Sequence, residues 1–158
     1  MNKMLIVEDS LPIVAIHRSI ATKSGLVPVV AKTLADVKAL DEELDSFFCA
    51  VIDFSLPDAP NGEAIEYIVN RNIPSIVMTG MLDDDIRDQI LKLPVIDYIT
   101  KESRQAYHYL HSLIQKLLTN HTTKILVVDD SQTARTQLRQ LLERHNFNVL
   151  DAASGDAA

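Results

Sequence analysis

The sequence predicts an α/β protein built on a doubly wound, five-stranded parallel sheet, followed by a partial βαβ unit. Three observations lead there. Five short apolar runs rich in Val, Ile and Leu alternate with five helical patterns over the first 118 of 158 residues. The runs are apolar over most of their length, as in strands covered on both faces. Regular β-α alternation with short connections implies right-handed crossovers, which stack helices on both sides of a parallel sheet.

In chain order, the strands are read at residues 3–8, 27–31, 49–53, 74–79 and 95–99. The helical patterns are read at 11–24, 33–45, 62–71, 83–92 and 103–118. Gly25 ends the first helix, where a left-handed residue closes the last turn. Pro74 opens a strand, where it removes no central ladder bond. "DDD", residues 83 to 85, opens a helix, where acids match the positive end of its dipole. In "YHYLHSLIQKLL", Tyr107, Leu110, Ile114 and Leu117 recur at helical spacing and give one buried face. The pattern then restarts. An offset of 121 matches Lys3 to Lys124, Leu5 to Leu126, Val7 to Val128, Asp9 to Asp130, Ser10 to Ser131, Arg18 to Arg139 and Ala31 to Ala152, and sets Gly25 against Asn146. The organisation read from this is one unit at 1–118, a polar linker "TNHTT" at 119–123, and the first part of a second unit at 124–158.

Bulk properties narrow the class. With 47% hydrophobic and 23% charged residues the chain is of ordinary globular composition. A net charge of −7 argues against non-specific nucleic-acid binding. No apolar run approaches membrane-spanning length, and the N-terminus lacks a secretory leader pattern. The single Cys49 fits a reducing, cytoplasmic setting and reads as a buried strand residue. His108 and His111 share a helix face, but without a third ligand nearby they read as solvated side chains.

The chemistry collects at the strand ends. Ligands of doubly wound sheets bind beyond the carboxyl ends of the strands. There the first strand delivers Glu8 and Asp9, the third Asp53, the fourth Thr79 followed by Gly80, and the fifth leads to Lys101. Adjacent buried carboxylates repel and are costly to desolvate. Together they form a hard oxygen site for Mg²⁺. A hydroxyl and an ammonium beside them suit a phosphoryl group. Metal, carboxylate nucleophile and cation are the recurring parts of phosphoryl transfer.

These residues resemble the receiver domain of bacterial two-component response regulators, a flavodoxin-like fold. The acidic pair Glu8-Asp9, Asp53, Thr79 and Lys101 stand in that family's order. The loop "DFSLPDAPNG" matches its Asp-x-x-Met/Leu-Pro…Gly pattern with Pro57 and Gly62, and Tyr98 matches its switch aromatic. The resemblance implies that Asp53 accepts a phosphoryl group from a histidine kinase or a phosphotransfer protein. It implies Mg²⁺ on Asp9, Asp53 and the Ser55 carbonyl, with Glu8 acting through a metal-bound water. It further implies that Lys101, Thr79 and the N–H groups of Ser55 and Gly80 hold the phosphoryl oxygens, and that Tyr98 moves with Thr79. Two departures stand out: the Asp-to-Gly loop is one residue longer than usual, and Glu102 stands where proline usually follows the lysine.

Asp129 and Asp130 give the second unit the same resemblance, but the counterpart of Asp53, 121 residues on, would fall past Ala158. In this family tandem receivers often precede a cyclic-di-GMP synthase domain, so an effector of that kind is an expected output. Residues 124–158 are too few to bury "ILVV" alone, so they are expected to be mobile or ordered by a second copy in a homodimer. Three other functions share some features. A haloacid-dehalogenase-type phosphatase needs an acid two residues after its nucleophile, where Ser55 stands. A flavin binder needs a phosphate loop after the first strand, where Glu8 and Asp9 would repel phosphate. An interaction module needs neither Thr79 nor Lys101.

Overall fold

The computed structural model describes residues 2–80 and 83–158. Its contacts divide the chain into two compact units, Met1–His111 and Ser112–Ala158. In the first, β1 (Lys3–Val7), β2 (Val27–Ala31), β3 (Phe47–Asp53), β4 (Ser75–Thr79) and β5 (Asp97–Thr100) form one sheet of order β2-β1-β3-β4-β5. Every neighbouring pair is parallel. The central strands are the most apolar, and β4 is buried at every position. The edge strand β2 is open along most of its length, consistent with its fewer neighbours.

Helices α1 (Leu11–Lys23), α2 (Leu34–Ala39), α3 (Glu63–Val69) and α4 (Asp84–Leu91) fill the crossovers, and α5 (Arg104–His121) follows β5. Sequence signals explain most ends. Gly25, with φ +73°, stops α1 as expected, and Leu26 N–H returns to Ala21 O at 2.9 Å. Asp83 caps α4 by accepting from the N–H groups of Asp85 and Ile86 at 2.9 and 3.1 Å. The helix expected at 33–45 is instead α2 followed by a 3₁₀ turn, Asp41–Ser46. Asp41, Glu42, Glu43 and Asp45 crowd that stretch, and like charges one turn apart disfavour α-helix. A mixed core of Leu5, Val7, Val37, Leu44, Ile52, Ile65 and Ile68 joins the sheet to α2 and α3.

In the second unit, β6 (Lys124–Val128) and β7 (Asn148–Ala152) pair in parallel around α6 (Gln132–Arg144). The stretch read as a linker is partly helical. No glycine or proline interrupts it, so α5 continues through Thr119, Asn120 and His121. Asn146 takes φ +69° at the end of α6, the role Gly25 has at the end of α1. The repeat extends to backbone bonds: Glu8 N–H donates to Ala31 O at 3.0 Å, and Asp129 N–H to Ala152 O at 3.2 Å. Arg135 and Arg139 of α6 reach Asp151 of β7 at 3.2 and 2.7 Å. The other face of the pair keeps Leu126, Val128 and Leu150 exposed, whereas Leu5 and Val7, the first unit's counterparts of Leu126 and Val128, are fully buried.

Candidate functional site

Register brings the strand ends together. Val7 lies opposite Ile52, so Glu8 and Asp53 leave adjacent strands at one level. Asp53 lies opposite Met78, and Thr79 opposite Thr100, which places Thr79 and Lys101 one step further along the same edge. Lys101 N–H donates to Thr79 O at 2.8 Å, extending that ladder by one bond.

One carboxylate oxygen from each of Glu8, Asp9 and Asp53 can be chosen so that all three lie within 4.8 Å of one another. The Lys101 ammonium sits against two of these groups, at 2.5 Å from Glu8 Oε2 and 2.9 Å from Asp53 Oδ2. Glu8 is buried, Asp53 half-buried and Asp9 exposed, so the cluster opens to solvent on the Asp9 side. Burial pushes the Glu8 carboxyl above the usual carboxylate range, against the lowering effect of its bonds to Lys101 and Ser10 N–H. Burial also works against the Lys101 charge, but the Glu8 and Asp53 carboxylates outweigh it and raise its pKa. When all are ionised, three carboxylates face one ammonium, an excess of two negative charges. A divalent cation with oxygen ligands matches that excess.

The remaining expected residues surround the cluster. Ser55 N–H points at Asp53 Oδ1 across 3.4 Å. Thr79 is 1% exposed, and its side chain hydrogen-bonds with the Tyr98 hydroxyl. Gly80 follows at the surface, with open space where a Cβ would stand. Tyr98 is half-buried and, with Asp83, Asp84, Arg87 and Thr100, lines a cavity of about 310 Å³ between α4 and β5. No peptide bond among the described residues is cis, so Lys101 meets Glu102 through a trans bond. In the second unit Asp129 is half-buried and Asp130 exposed, and Ser131 N–H donates to Asp129 Oδ1 at 2.7 Å.

Sequence reading missed one residue behind this site. His17 of α1 is 1% exposed, and both ring nitrogens lack a hydrogen-bond partner. Its ring lies 6.0 Å from that of Tyr107, which senses the charges of Lys101, Glu8 and Asp53. The spacing of Val14, His17, Ile20 and Ala21 on one helix face was the available signal. Burial, with a further push from the Lys101 charge, lowers the His17 pKa to about 4. An unfolded histidine takes its proton at about 6.5. Unfolding therefore takes up a proton between those two values, so the His17 contribution is complete above pH 6.5 and is lost as pH falls towards 4. The loss amounts to about 3 kcal/mol. Replacing His17 with leucine should remove that acid sensitivity, and should not reduce stability at neutral pH because two unsatisfied nitrogens disappear. Urea unfolding of both proteins from pH 4 to 8 checks this. Parallel curves across that range would show that His17 does not carry the linkage.

A doubly wound sheet of this order, with three acids, a threonine and a lysine at its carboxyl edge, defines the receiver class of α/β domain. Two solved structures described as two-component system response regulator/GGDEF domain proteins resemble the chain at 33% identity and TM-score 0.80. They align with 98% and 99% of this chain, which spans 62% and 64% of theirs. The non-phosphorylated HemR receiver domain of Leptospira biflexa shares the fold, at 20% identity and TM-score 0.62, over 71% of this chain and 91% of its own. No family model and no curated protein matches the sequence. The first unit has the flavodoxin-like receiver fold of these response regulators.

Proposed function

We propose that Asp53 is the phosphoacceptor of this receiver, that Mg²⁺ is its cofactor, and that a histidine kinase or phosphotransfer protein is its donor. The observation that carries this reading is the Asp53 carboxylate held 2.9 Å from the Lys101 ammonium beside Glu8 and Asp9. In the step proposed, an Asp53 oxygen attacks phosphorus, the bond from phosphorus to the donor's histidine nitrogen breaks, and the imidazole leaves with that electron pair. Asp9, Asp53 and the Ser55 carbonyl would hold Mg²⁺, with Glu8 behind them. The cation would supply charge neutralisation on the transferring oxygens. Lys101 would move from its carboxylates to a phosphoryl oxygen, and Thr79 and the N–H groups of Ser55 and Gly80 would take the others.

The output follows from the Thr79–Tyr98 hydrogen bond. A phosphoryl group that recruits the Thr79 hydroxyl competes with Tyr98 for it, and Tyr98 lines the cavity between α4 and β5. The switch is thus a difference in contacts between two states, as any population shift requires. The relatives' description as GGDEF domain proteins supports a cyclic-di-GMP synthase as the effector so controlled.

Acetyl phosphate, a small phosphoryl donor, tests the reading without knowledge of the kinase. With Mg²⁺ the protein should gain one hydroxylamine-labile phosphoryl group by intact mass, and none in EDTA. Asp9→Ala should weaken Mg²⁺ binding about tenfold or more, a cost of about 1.4 kcal/mol or above. A calorimetric Mg²⁺ titration unchanged by Asp9→Ala would overturn the ligand assignment.

A further inference from the structure

The loop that leaves Asp53 is tied at three points. Gly62 N–H donates to Phe54 O at 3.1 Å and closes its base. Only glycine suits that position: φ is +84°, and an added Cβ would stand 2.8 Å from the Phe54 ring. Further out, Leu56 and Ala59 exchange N–H···O bonds of 3.1 and 3.2 Å, which puts Pro57 and Asp58 at the corner of a tight turn. At that corner the Asp58 carboxylate reaches out of its own loop. It accepts from Leu34 N–H at 2.8 Å and Ala35 N–H at 3.0 Å, at the start of α2. Those two backbone groups have no carbonyl partner within the helix. The next one along, Asp36 N–H, is served by Thr33 Oγ1 at 3.0 Å. Ser55 lies between the first and second ties.

We infer that Asp58 is a positioning residue of the acidic site: by gripping α2 it fixes the Leu56–Ala59 turn, and through it the Ser55 backbone that faces Asp53. This rests on the function proposed above, in which the Ser55 carbonyl is a metal ligand and its N–H a phosphoryl contact. A group that orients a metal ligand without touching the metal acts on affinity through geometry. The added length of the loop fits this role. A longer connection between Asp53 and Gly62 has more freedom to lose, and an anchor outside the loop restricts it. The anchor is separate from the acids it serves, since the Asp58 carboxylate accepts from backbone N–H groups at the start of α2.

The test compares three variants of the whole chain by calorimetric Mg²⁺ titration and by the rate of phosphoryl gain from acetyl phosphate. Asp58→Ala should weaken Mg²⁺ binding about tenfold, the lower end of the range for losing a group that orients a ligand. Its phosphorylation should be slow at low Mg²⁺ and recover at saturating Mg²⁺. Asp58→Asn keeps an acceptor oxygen for one of the two N–H groups and should recover part of the affinity. Thr33→Ala strips α2 of its other cap but leaves the loop untouched, so it should bind Mg²⁺ as the wild type does. Equal losses in Asp58→Ala and Thr33→Ala would reduce Asp58 to a helix cap and overturn the inference. So would wild-type Mg²⁺ affinity in Asp58→Ala. A wild-type protein that binds no Mg²⁺ would overturn the proposed function itself, and the inference with it.

Discussion

Asp53→Asn should abolish phosphoryl gain from acetyl phosphate and Mg²⁺, while leaving a folded protein. The amide has nearly the shape of the carboxylate, so the β3 register and the Phe54–Gly62 closure are undisturbed. What it lacks is the anionic oxygen that attacks phosphorus. Loss of the Asp53 charge removes one bond to Lys101 but also removes repulsion against Glu8, whose pKa Asp53 helps to raise. These effects oppose each other, so stability should change by no more than about 1 kcal/mol. Intact mass with and without hydroxylamine, alongside a thermal melt, gives both readouts. A labile phosphoryl group on the Asp53→Asn protein would move the acceptor elsewhere, with Glu8 and Asp9 the next residues to replace.

The placement of these side chains at one sheet edge was legible because it depends on residue type at strand ends, and the apolar runs mark those ends. Glu8, Asp9, Asp53, Thr79 and Lys101 each follow a run whose pairing register then aligns them. Helix ends were legible where one residue fixes the backbone, as at Gly25 and Asn146 with φ of +73° and +69°. The break after α2 was not, because helical periodicity continues through Leu40 and Leu44 while charge repulsion in "DEELD" works against it. Asp58 was also hidden. Its partners lie 23 and 24 residues earlier in the chain, and no local pattern reports a contact that only the tertiary fold creates. His17 presents a third case. Its helix face was readable from spacing, but the absence of a partner for its ring is a property of the packed core.

Lys101→Met should be the most destabilising change at the site, and its cost should depend on both pH and Mg²⁺. Methionine keeps the length of the apolar stem, so the variant isolates the ammonium. Without it, Glu8 remains almost fully buried, with no cation at its Oε2 and with Asp53 still beside it. Breaking a buried pair on one side costs about 3–5 kcal/mol, because the surviving charge is left uncompensated. Glu8 can escape that cost by taking up a proton. Its pKa, already raised by burial, should rise further in the variant, so the Glu8 penalty is complete above that value, shrinks as pH falls below it, and is gone only below the ordinary carboxylate range. The gap between wild type and variant should therefore be widest near pH 8 and should narrow on acidification. Mg²⁺ should narrow it too. The ammonium and the metal compete for the same carboxylates, so removing the ammonium should tighten Mg²⁺ binding, and binding to the folded state alone raises its stability. Phosphoryl gain should nevertheless slow, since no side-chain cation then meets the transferring oxygens. Urea unfolding at pH 5.5 and pH 8, each with and without Mg²⁺, separates these effects. Equal stability of the two proteins at pH 8 without Mg²⁺, together with equal gains on adding it, would mean that Lys101 does not balance the acidic cluster.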